Sequence, residues 1–150
     1  MKLLAIDPGA SGGLAWSNSE GTHCLAMPET DGDVLDLLRS IKASGVERCV
    51  IEQVGGYAGK AMPGSAMFNF GDGCGFIRGC LMALSFRVEL VTPQKWQKHF
   101  SLGTVKTAGG KWPWKRKLKE KAQQLFPNQS VTLKTADALL MLDYAKANSK

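Results

Sequence analysis

The chain has 150 residues, of which 44% are hydrophobic and 21% charged, a composition typical of a globular domain rather than a disordered or membrane-spanning chain. No apolar run reaches the roughly 20 residues of a transmembrane helix and no cleavable apolar leader is seen, so we expect an intracellular protein without a membrane partner. The four cysteines show no CxxC pairing, which argues against a zinc site or a disulfide framework.

The net charge of +6 is concentrated in one segment. Residues 95–121 contain nine Lys or Arg and a single acid, Glu120, so this segment carries +8 and the rest of the chain about −2. Three of the four tryptophans, Trp96, Trp112 and Trp114, lie in the same segment. Cations that neutralise phosphates, together with rings that stack on bases or pack against sugars, predict a polyanion partner. The alternative is a solvated basic helix whose tryptophans pack inward.

The first third of the chain predicts three short strands, a helix and a fourth strand. KLLAID, LAWS and THCLAM are strand-like and are separated by the turns PGASGG and SNSEG. Apolar residues recur at helical spacing over residues 34–41, behind the capping candidates Thr30 and Asp31. RCVIEQV has the β-branched character of a central strand, with Glu52 near its C-terminal end.

The middle of the chain predicts a loop, a helix and a strand. GGYAGKAMPGS has the composition of a flexible loop. In the next segment Gly71, Gly75, Gly79 and Ala83 fall at four-residue intervals, which places four small residues on one helical face. Such a face permits close approach to a sheet or to a second copy of the helix, although a loop is the alternative here. RVELV then predicts another strand.

The last third of the chain predicts three helices. We expect a short helix from Pro93 through His99, after which SLGTVKTAGGKWP has the composition of a mobile loop. WKRKLKEKAQQLF predicts a basic helix that Pro127 ends, and a final, largely apolar helix is expected to begin near Lys134 or Thr135. This order of elements predicts an α/β fold with three layers around a mixed central β-sheet flanked by helices.

Three carboxylates stand at positions suited to binding a cation. Asp7 ends a buried strand and is followed at once by a turn. Glu52 also ends an apolar strand, where an ionised side chain is costly unless it is paired or bound to a cation. Asp137 lies in the first turn of a helix, where the macrodipole favours its ionised form. Hard cations prefer oxygen ligands, so the three acids together predict a magnesium site. Each acid alone has another explanation: Asp7 as a turn residue, Glu52 as the partner of an Arg, and Asp137 as a helix-start residue.

The residues around these carboxylates carry a resemblance to a known family. AIDPGASGG, VIEQVGG and KTADALLML, in this order and spacing, resemble the RuvC-like Holliday-junction resolvases of the RNase H-like superfamily. The closing KTADALLMLDYA is similar to phage-type members. The resemblance covers most of the chain and implies one RNase H-like nuclease domain over residues 1–150. It also implies a cytoplasmic location, in a bacterium or in the host of a phage.

The resemblance implies a metal-dependent endonuclease that nicks four-way or other branched DNA in recombination, repair or phage DNA processing. In this family the corresponding acids bind two divalent ions, which assigns metal-binding and catalytic roles to Asp7, Glu52 and Asp137. The expected ion is Mg²⁺, for which Mn²⁺ substitutes, and the expected products carry a 5′-phosphate and a 3′-hydroxyl. Two symmetric nicks imply a homodimer, with the small-residue face as the candidate contact, and no nucleotide cofactor is expected.

The sequence departs from the family pattern at two places. The acid or imidazole that usually precedes the final Asp by one turn is replaced by Lys134. We assign Lys134 a catalytic contact with the scissile phosphate; a weakened second metal site and a solvent-facing lysine are alternatives. The family's aromatic wedge is replaced by Gly55, which leaves Tyr57 as the nearest ring and a candidate DNA-binding residue. The other expected DNA-binding residues are Lys106, Lys111, Lys115, Arg116 and Lys117.

Three other functions stay open at this stage. A YqgF-like RNA-processing nuclease also begins with a strand, an Asp and a Gly turn, but IEQV and the final DAL helix argue against it. An actin-like sugar kinase or ATPase has a phosphate loop similar to AIDPGASGG, but it needs two lobes where 150 residues supply one. The sequence does not exclude a non-catalytic junction-binding protein that has lost efficient metal binding through Lys134.

Overall fold

In the computed structural model, which describes residues 1–55 and 63–149, five strands and six helices follow one another along the described chain. The strands are β1 (Leu3–Asp7), β2 (Gly13–Asn18), β3 (Gly21–Ala26), β4 (Arg48–Glu52) and β5 (Arg87–Val91). The helices are α1 (Asp31–Ala43), α2 (Gly64–Ala83), α3 (Pro93–His99), α4 (Val105–Ala108), α5 (Lys111–Leu125) and α6 (Ala136–Ala147). No helix in this part of the chain is long and apolar enough to cross a membrane.

The strands form a mixed sheet in the order β3-β2-β1-β4-β5. β1 lies at its centre, antiparallel to β2 and parallel to β4. The register of the parallel pair aligns Ile6 with Ile51, and the residues that follow them are Asp7 and Glu52. Both carboxylates therefore lie at the edge of the sheet where β1 and β4 end.

Helices cover both faces of this sheet. On one face, α1 and α2 bury apolar side chains such as Leu38 and Leu81 against Leu4 and Ile6 of β1. On the other face, α6 lies directly against β1 and β2, and α5 packs on α6. α6 is buried over most of its length because it lies between the sheet and α5. This arrangement confirms the predicted three-layer α/β architecture.

Most predicted elements are found where the sequence placed them. Thr30 caps α1, since its hydroxyl accepts a hydrogen bond of 3.1 Å from the backbone N–H of Asp33. The glycine-containing segment forms helix α2 rather than a loop. Its small-residue face is not packed on the sheet: no described atom lies within 4 Å of a Cβ added at Gly71, Gly75 or Gly79. The described residues leave this face uncovered.

The prediction of a loop over residues 101–113 is wrong in part, because this segment contains α4 and the first turn of α5. Thr104 and Thr107 form a reciprocal capping box that closes the single turn of α4. α5 begins at Lys111, which places Pro113 in its first turn, where the missing N–H breaks no intrahelical hydrogen bond. The Gly-rich composition of the segment concealed these local hydrogen bonds.

Candidate active site

Three separate elements bring Asp7, Glu52 and Asp137 together. Asp7 and Glu52 end the adjacent strands β1 and β4, and Asp137 lies in the first turn of α6, which crosses that edge of the sheet. The charge of Asp137 is close enough to raise the pKa of both other carboxyl groups. The structure thus places the three predicted acids in one cluster, and their catalytic and metal-binding roles stay predictions.

Gly12, at the end of the turn after β1, and Gly13, the first residue of β2, allow the backbone around the site to pack closely. A Cβ added at Gly12 would collide with the carbonyl oxygen of Asp7. A Cβ added at Gly13 would lie 2.5 Å from the carbonyl oxygen of Lys134, in the segment that leads into α6. Because Gly13 has no side chain, the start of α6 lies close against β2, and this contact carries Asp137 to the site.

A buried tryptophan orients Glu52. The indole N–H of Trp96, in α3, donates a hydrogen bond of 2.8 Å to Oε2 of Glu52. Trp96 is fully buried, so the direction of this bond is set by the packing of the core. Burial raises the pKa of Glu52 above its ordinary value; the bond from Trp96 opposes this shift, Asp137 adds to it, and Lys115 opposes it.

Asp137 is the most buried of the three acids and is paired with a lysine. Nζ of Lys115, in α5, donates a hydrogen bond of 2.8 Å to its Oδ2. Its other oxygen, Oδ1, is buried and has no hydrogen-bond partner among the described residues. Burial disfavours the charged form of Lys115, but the charge and hydrogen bond of Asp137, with smaller contributions from Asp7 and Glu52, raise its pKa. Lys115 therefore stays cationic at neutral pH.

Burial and the neighbouring acids both disfavour the ionised form of Asp7. Its pKa is raised to about 8, first by burial and then by the charges of Asp137 and Glu52, with Lys115 opposing the shift. Carboxylates that raise one another's pKa repel when ionised. A bound divalent cation relieves this repulsion.

The donor set fits a hard cation, although the side chains are not arranged around one. No three His, Cys, Asp or Glu side chains in residues 1–55 and 63–149 have the mutual placement that holds a metal ion. The chemistry is nevertheless suitable, because all three acids offer oxygen ligands and Oδ1 of Asp137 is buried with no hydrogen-bond partner in the described part of the chain.

A cavity of about 770 Å³ opens over Asp7 and Glu52. Its wall includes Lys111, Trp112, Lys115 and Lys134. Lys111, Trp112 and Lys134 are exposed, and Lys134 lies three residues before Asp137. The site thus combines an acidic floor with a basic wall, which suits a polyanion whose phosphate approaches the carboxylates.

The predicted DNA-binding residues fall into three groups. Lys106, Arg116 and Lys117 are exposed on α4 and α5 outside the wall of this cavity. Lys111 is exposed on the wall itself, whereas Lys115 is half-buried and bound to Asp137. Tyr57, the predicted wedge, lies outside the described residues.

Two roles were missed from the sequence. Trp96 and Trp114 were grouped with Trp112 as rings for nucleic acid, but both are buried, so the inward-packing alternative is correct for them. Lys115 was assigned to DNA alone rather than to the carboxylate cluster. The available signal for Trp96 was a lone large apolar residue in the polar stretch PQKWQK, since a buried indole N–H needs an acceptor.

No protein-family model matches the sequence, and no curated protein matches it significantly. Solved structures do match. RuvC of Thermus thermophilus in complex with a Holliday junction substrate gives a TM-score of 0.65 at 11% identity, over 98% of this chain and 95% of that chain. A second T. thermophilus RuvC structure gives a TM-score of 0.61 at 12% identity, over 98% and 96%. Identities this low show a shared fold, which confirms the predicted RuvC-like, RNase H-like architecture.

Proposed function

We propose that the chain is a divalent-metal-dependent endonuclease that nicks four-way or other branched DNA junctions. The observation that carries the proposal is the cluster of Asp7, Glu52 and Asp137 beside a lysine-lined cavity on a RuvC-like fold. The T. thermophilus RuvC of the same fold is bound to a Holliday junction substrate, which supports branched DNA as the substrate class. The expected products carry a 5′-phosphate and a 3′-hydroxyl.

The three acids are the proposed metal ligands. Two Mg²⁺ ions, or Mn²⁺ in their place, would activate the attacking water and stabilise the leaving oxygen of the phosphodiester. Oδ1 of Asp137 supports this assignment, because it is buried and finds no hydrogen-bond partner among residues 1–55 and 63–149, a state that is costly without a cation or donor. A cation at this place would also favour the ionised form of Asp7, which burial and the other two acids disfavour.

Other side chains of the site position the acids and the phosphate. Trp96 holds one oxygen of Glu52 in a fixed direction. The cationic Lys115 offsets the charge of Asp137 and lies on the cavity wall, where it can donate to a phosphate oxygen. Lys134, which is exposed on the cavity wall, is the proposed contact to the scissile phosphate.

The exposed cations of α4 and α5 are the proposed DNA-binding surface. This surface consists of Lys106, Lys111, Arg116 and Lys117, and Tyr57 stays the candidate wedge. Contacts of this kind neutralise phosphates and release counterions, so junction affinity should fall steeply as salt is added.

We further propose a homodimer formed through α2. Phe68 and Met82, which are 72% and 74% exposed, stand on either side of Gly71, Gly75 and Gly79 along this helix. A second copy that crosses at the glycines would cover both apolar side chains. In sedimentation experiments Phe68→Glu should dissociate the dimer, whereas Leu25→Glu, an exposed apolar position on β3, should not. A wild-type monomer at micromolar concentration would refute this arrangement.

The nuclease proposal is tested by incubating the purified chain with a labelled four-way junction, a flap, plain duplex DNA and RNA, with magnesium or with chelator. We expect nicks in the branched DNAs that need magnesium and leave ends that DNA ligase can reseal. Faster cleavage of RNA than of the junction would instead favour the RNA-processing nuclease. Absence of cleavage in every substrate would refute the proposal.

A non-catalytic junction-binding protein is the second candidate. The Lys115–Asp137 ion pair favours it, because an ammonium group provides at Asp137 the positive charge that a metal ion would bring. In that case the junction binds equally well with magnesium and with chelator and is never nicked.

A further inference from the structure

One large aromatic side chain stands uncovered at the proposed active site. Trp112 is 63% exposed, whereas Trp96 and Trp114 are buried in the core. Its ring forms part of the wall of the cavity over Asp7 and Glu52. An exposed indole presents a broad apolar face to water, so the burial of that face by a ligand is favourable.

The surrounding structure fixes the backbone that carries Trp112. Trp112 is the second residue of α5 and is followed by Pro113, which restricts the backbone of the first turn. Trp114 anchors the same turn in the core, and Lys115 ties it to Asp137. A ring attached to a rigid turn loses little conformational freedom when it stacks on a ligand.

The charge around the ring indicates the chemistry of that ligand. Nζ of Lys111 lies 5.4 Å from the centroid of the Trp112 ring. Lys115 and Lys134 line the same cavity. An apolar protein partner would have to desolvate these lysines without compensation. A nucleotide instead offers both a flat ring for the indole and a phosphate for the lysines.

We propose that Trp112 is a specificity-determining residue that stacks on the exposed face of an unstacked nucleobase next to the scissile phosphate. In a continuous duplex both faces of each base are covered by its neighbours, whereas a branch point or a single strand exposes a face. Trp112 therefore favours substrates with disrupted stacking. This inference rests on the proposed function, since it takes the scissile phosphate to lie at the carboxylates.

The test measures binding of the intact chain, in chelator, to a four-way junction, a single-stranded oligonucleotide and a plain duplex. We expect Trp112→Ala to weaken junction and single-strand binding about 5- to 100-fold and duplex binding by less than about twofold. Trp112→Phe should keep most of the affinity, because a phenyl ring also stacks. The control is Leu125→Ala, an exposed apolar residue at the far end of α5, which should bind as wild type does.

Tryptophan fluorescence provides a second readout that does not depend on cleavage. Single-stranded DNA should quench the wild-type signal, and Trp112→Phe should lose most of this quenching. Trp96 and Trp114 are buried, and the half-buried Trp16 of β2 stacks on His23 outside the wall of this cavity. The inference would be overturned if Trp112→Ala bound all three DNAs as tightly as wild type. It would also be overturned if Trp112→Ala and Trp112→Phe lost the same affinity, or if Trp112→Ala lost as much affinity for the duplex as for the junction.

The two proposals fail in different ways. A wild-type protein that binds and is quenched but never nicks DNA would overturn the nuclease proposal and leave stacking in place. If the wild-type protein nicks junctions and Trp112→Ala has the same DNA affinity and melting temperature as wild type, the stacking proposal is overturned and the nuclease proposal stands.

Discussion

The ammonium group of Lys115 lies 2.8 Å from Oδ2 of Asp137 and joins the basic helix α5 to the buried helix α6. The lysine side chain is 33% exposed and that of the aspartate 7%, so the lysine is the partner with access to solvent. It brings one positive charge into a cluster of three acids. The same group can compete with a metal ion for Asp137 or, once displaced, contact a phosphate.

Lys115→Met should separate these two roles. Without the ammonium group, the cluster is more negative and should bind Mg²⁺ about tenfold more tightly, which a magnesium titration followed by thermal denaturation measures. Nicking at saturating Mg²⁺ should nevertheless fall about 100-fold, because a cation near the phosphate is lost. Lys117→Met, on the exposed side of the same helix, is the control. If both variants behave alike, Lys115 has no special role.

The three acids should be individually essential. We expect Asp7→Asn, Glu52→Gln and Asp137→Asn to lower metal-dependent nicking at least about 100-fold, because each amide keeps the shape of the side chain and removes an anionic ligand. Junction binding should stay within a few fold of wild type in a gel-shift assay. Asp143→Asn, two turns along α6 from the start of the helix, is the matched control. Near wild-type nicking by one of the three variants removes that residue from the site.

Trp96→Phe should shift the pH dependence of nicking. The indole hydrogen bond lowers the pKa of Glu52, so its loss raises this pKa and moves the acid limb of the rate profile to higher pH. Trp114→Phe removes a similar volume from the core without touching Glu52, and both variants should lose about 1–3 kcal/mol of stability. A profile for Trp96→Phe that coincides with that of Trp114→Phe contradicts the positioning role.

The raised pKa of Asp7 predicts how stability varies with pH. Its folded-state pKa of about 8 exceeds the ordinary value of 3.8, so the folded protein binds more protons between these limits. The stability that Asp7 contributes is therefore fully present below pH 3.8 and is lost as pH rises to about 8. In chelator at pH 8, Asp7→Asn should be more stable than wild type by about 1–2 kcal/mol in the free energy of unfolding, which raises its melting temperature by several degrees. Near pH 4 the two proteins should melt at the same temperature.

Magnesium provides the complementary measurement for Asp7. At pH 8 it should raise the melting temperature of wild type more than that of Asp7→Asn, because only the carboxylate gains a partner. Equal melting curves of the two proteins in chelator at pH 8 would show that the fold does not raise the pKa of Asp7.

Gly13→Ala tests the approach of α6 to β2. The added methyl group would meet the carbonyl oxygen of Lys134, so we expect a loss of about 1–3 kcal/mol and slower nicking as Asp137 is displaced. Gly32→Ala, in α1, meets no described atom within 4 Å and should be neutral or stabilising by up to about 1 kcal/mol. Unfolding by urea measures both. Equal stability of the two variants would show that the backbone relaxes around Gly13.

The sequence by itself determined the layered architecture and the identity of the acids. Local patterns suffice to place strand ends and helix starts. They are the alternating or helical spacing of apolar residues, the cap at Thr30 and the turn after Asp7. Residues 101–113 were the exception, because short helices held by side-chain caps leave little periodic signal.

Only the tertiary structure decided which neighbours the acids have. Lys115, Arg116 and Lys117 are adjacent in the chain, and composition treats them alike. Each residue along a helix turns the side chain by about 100°, so the packing of α5 on α6 decides which of the three meets Asp137. The burial of Trp96 beside Glu52 depends likewise on how α3 docks beside β4, a contact between residues 44 positions apart.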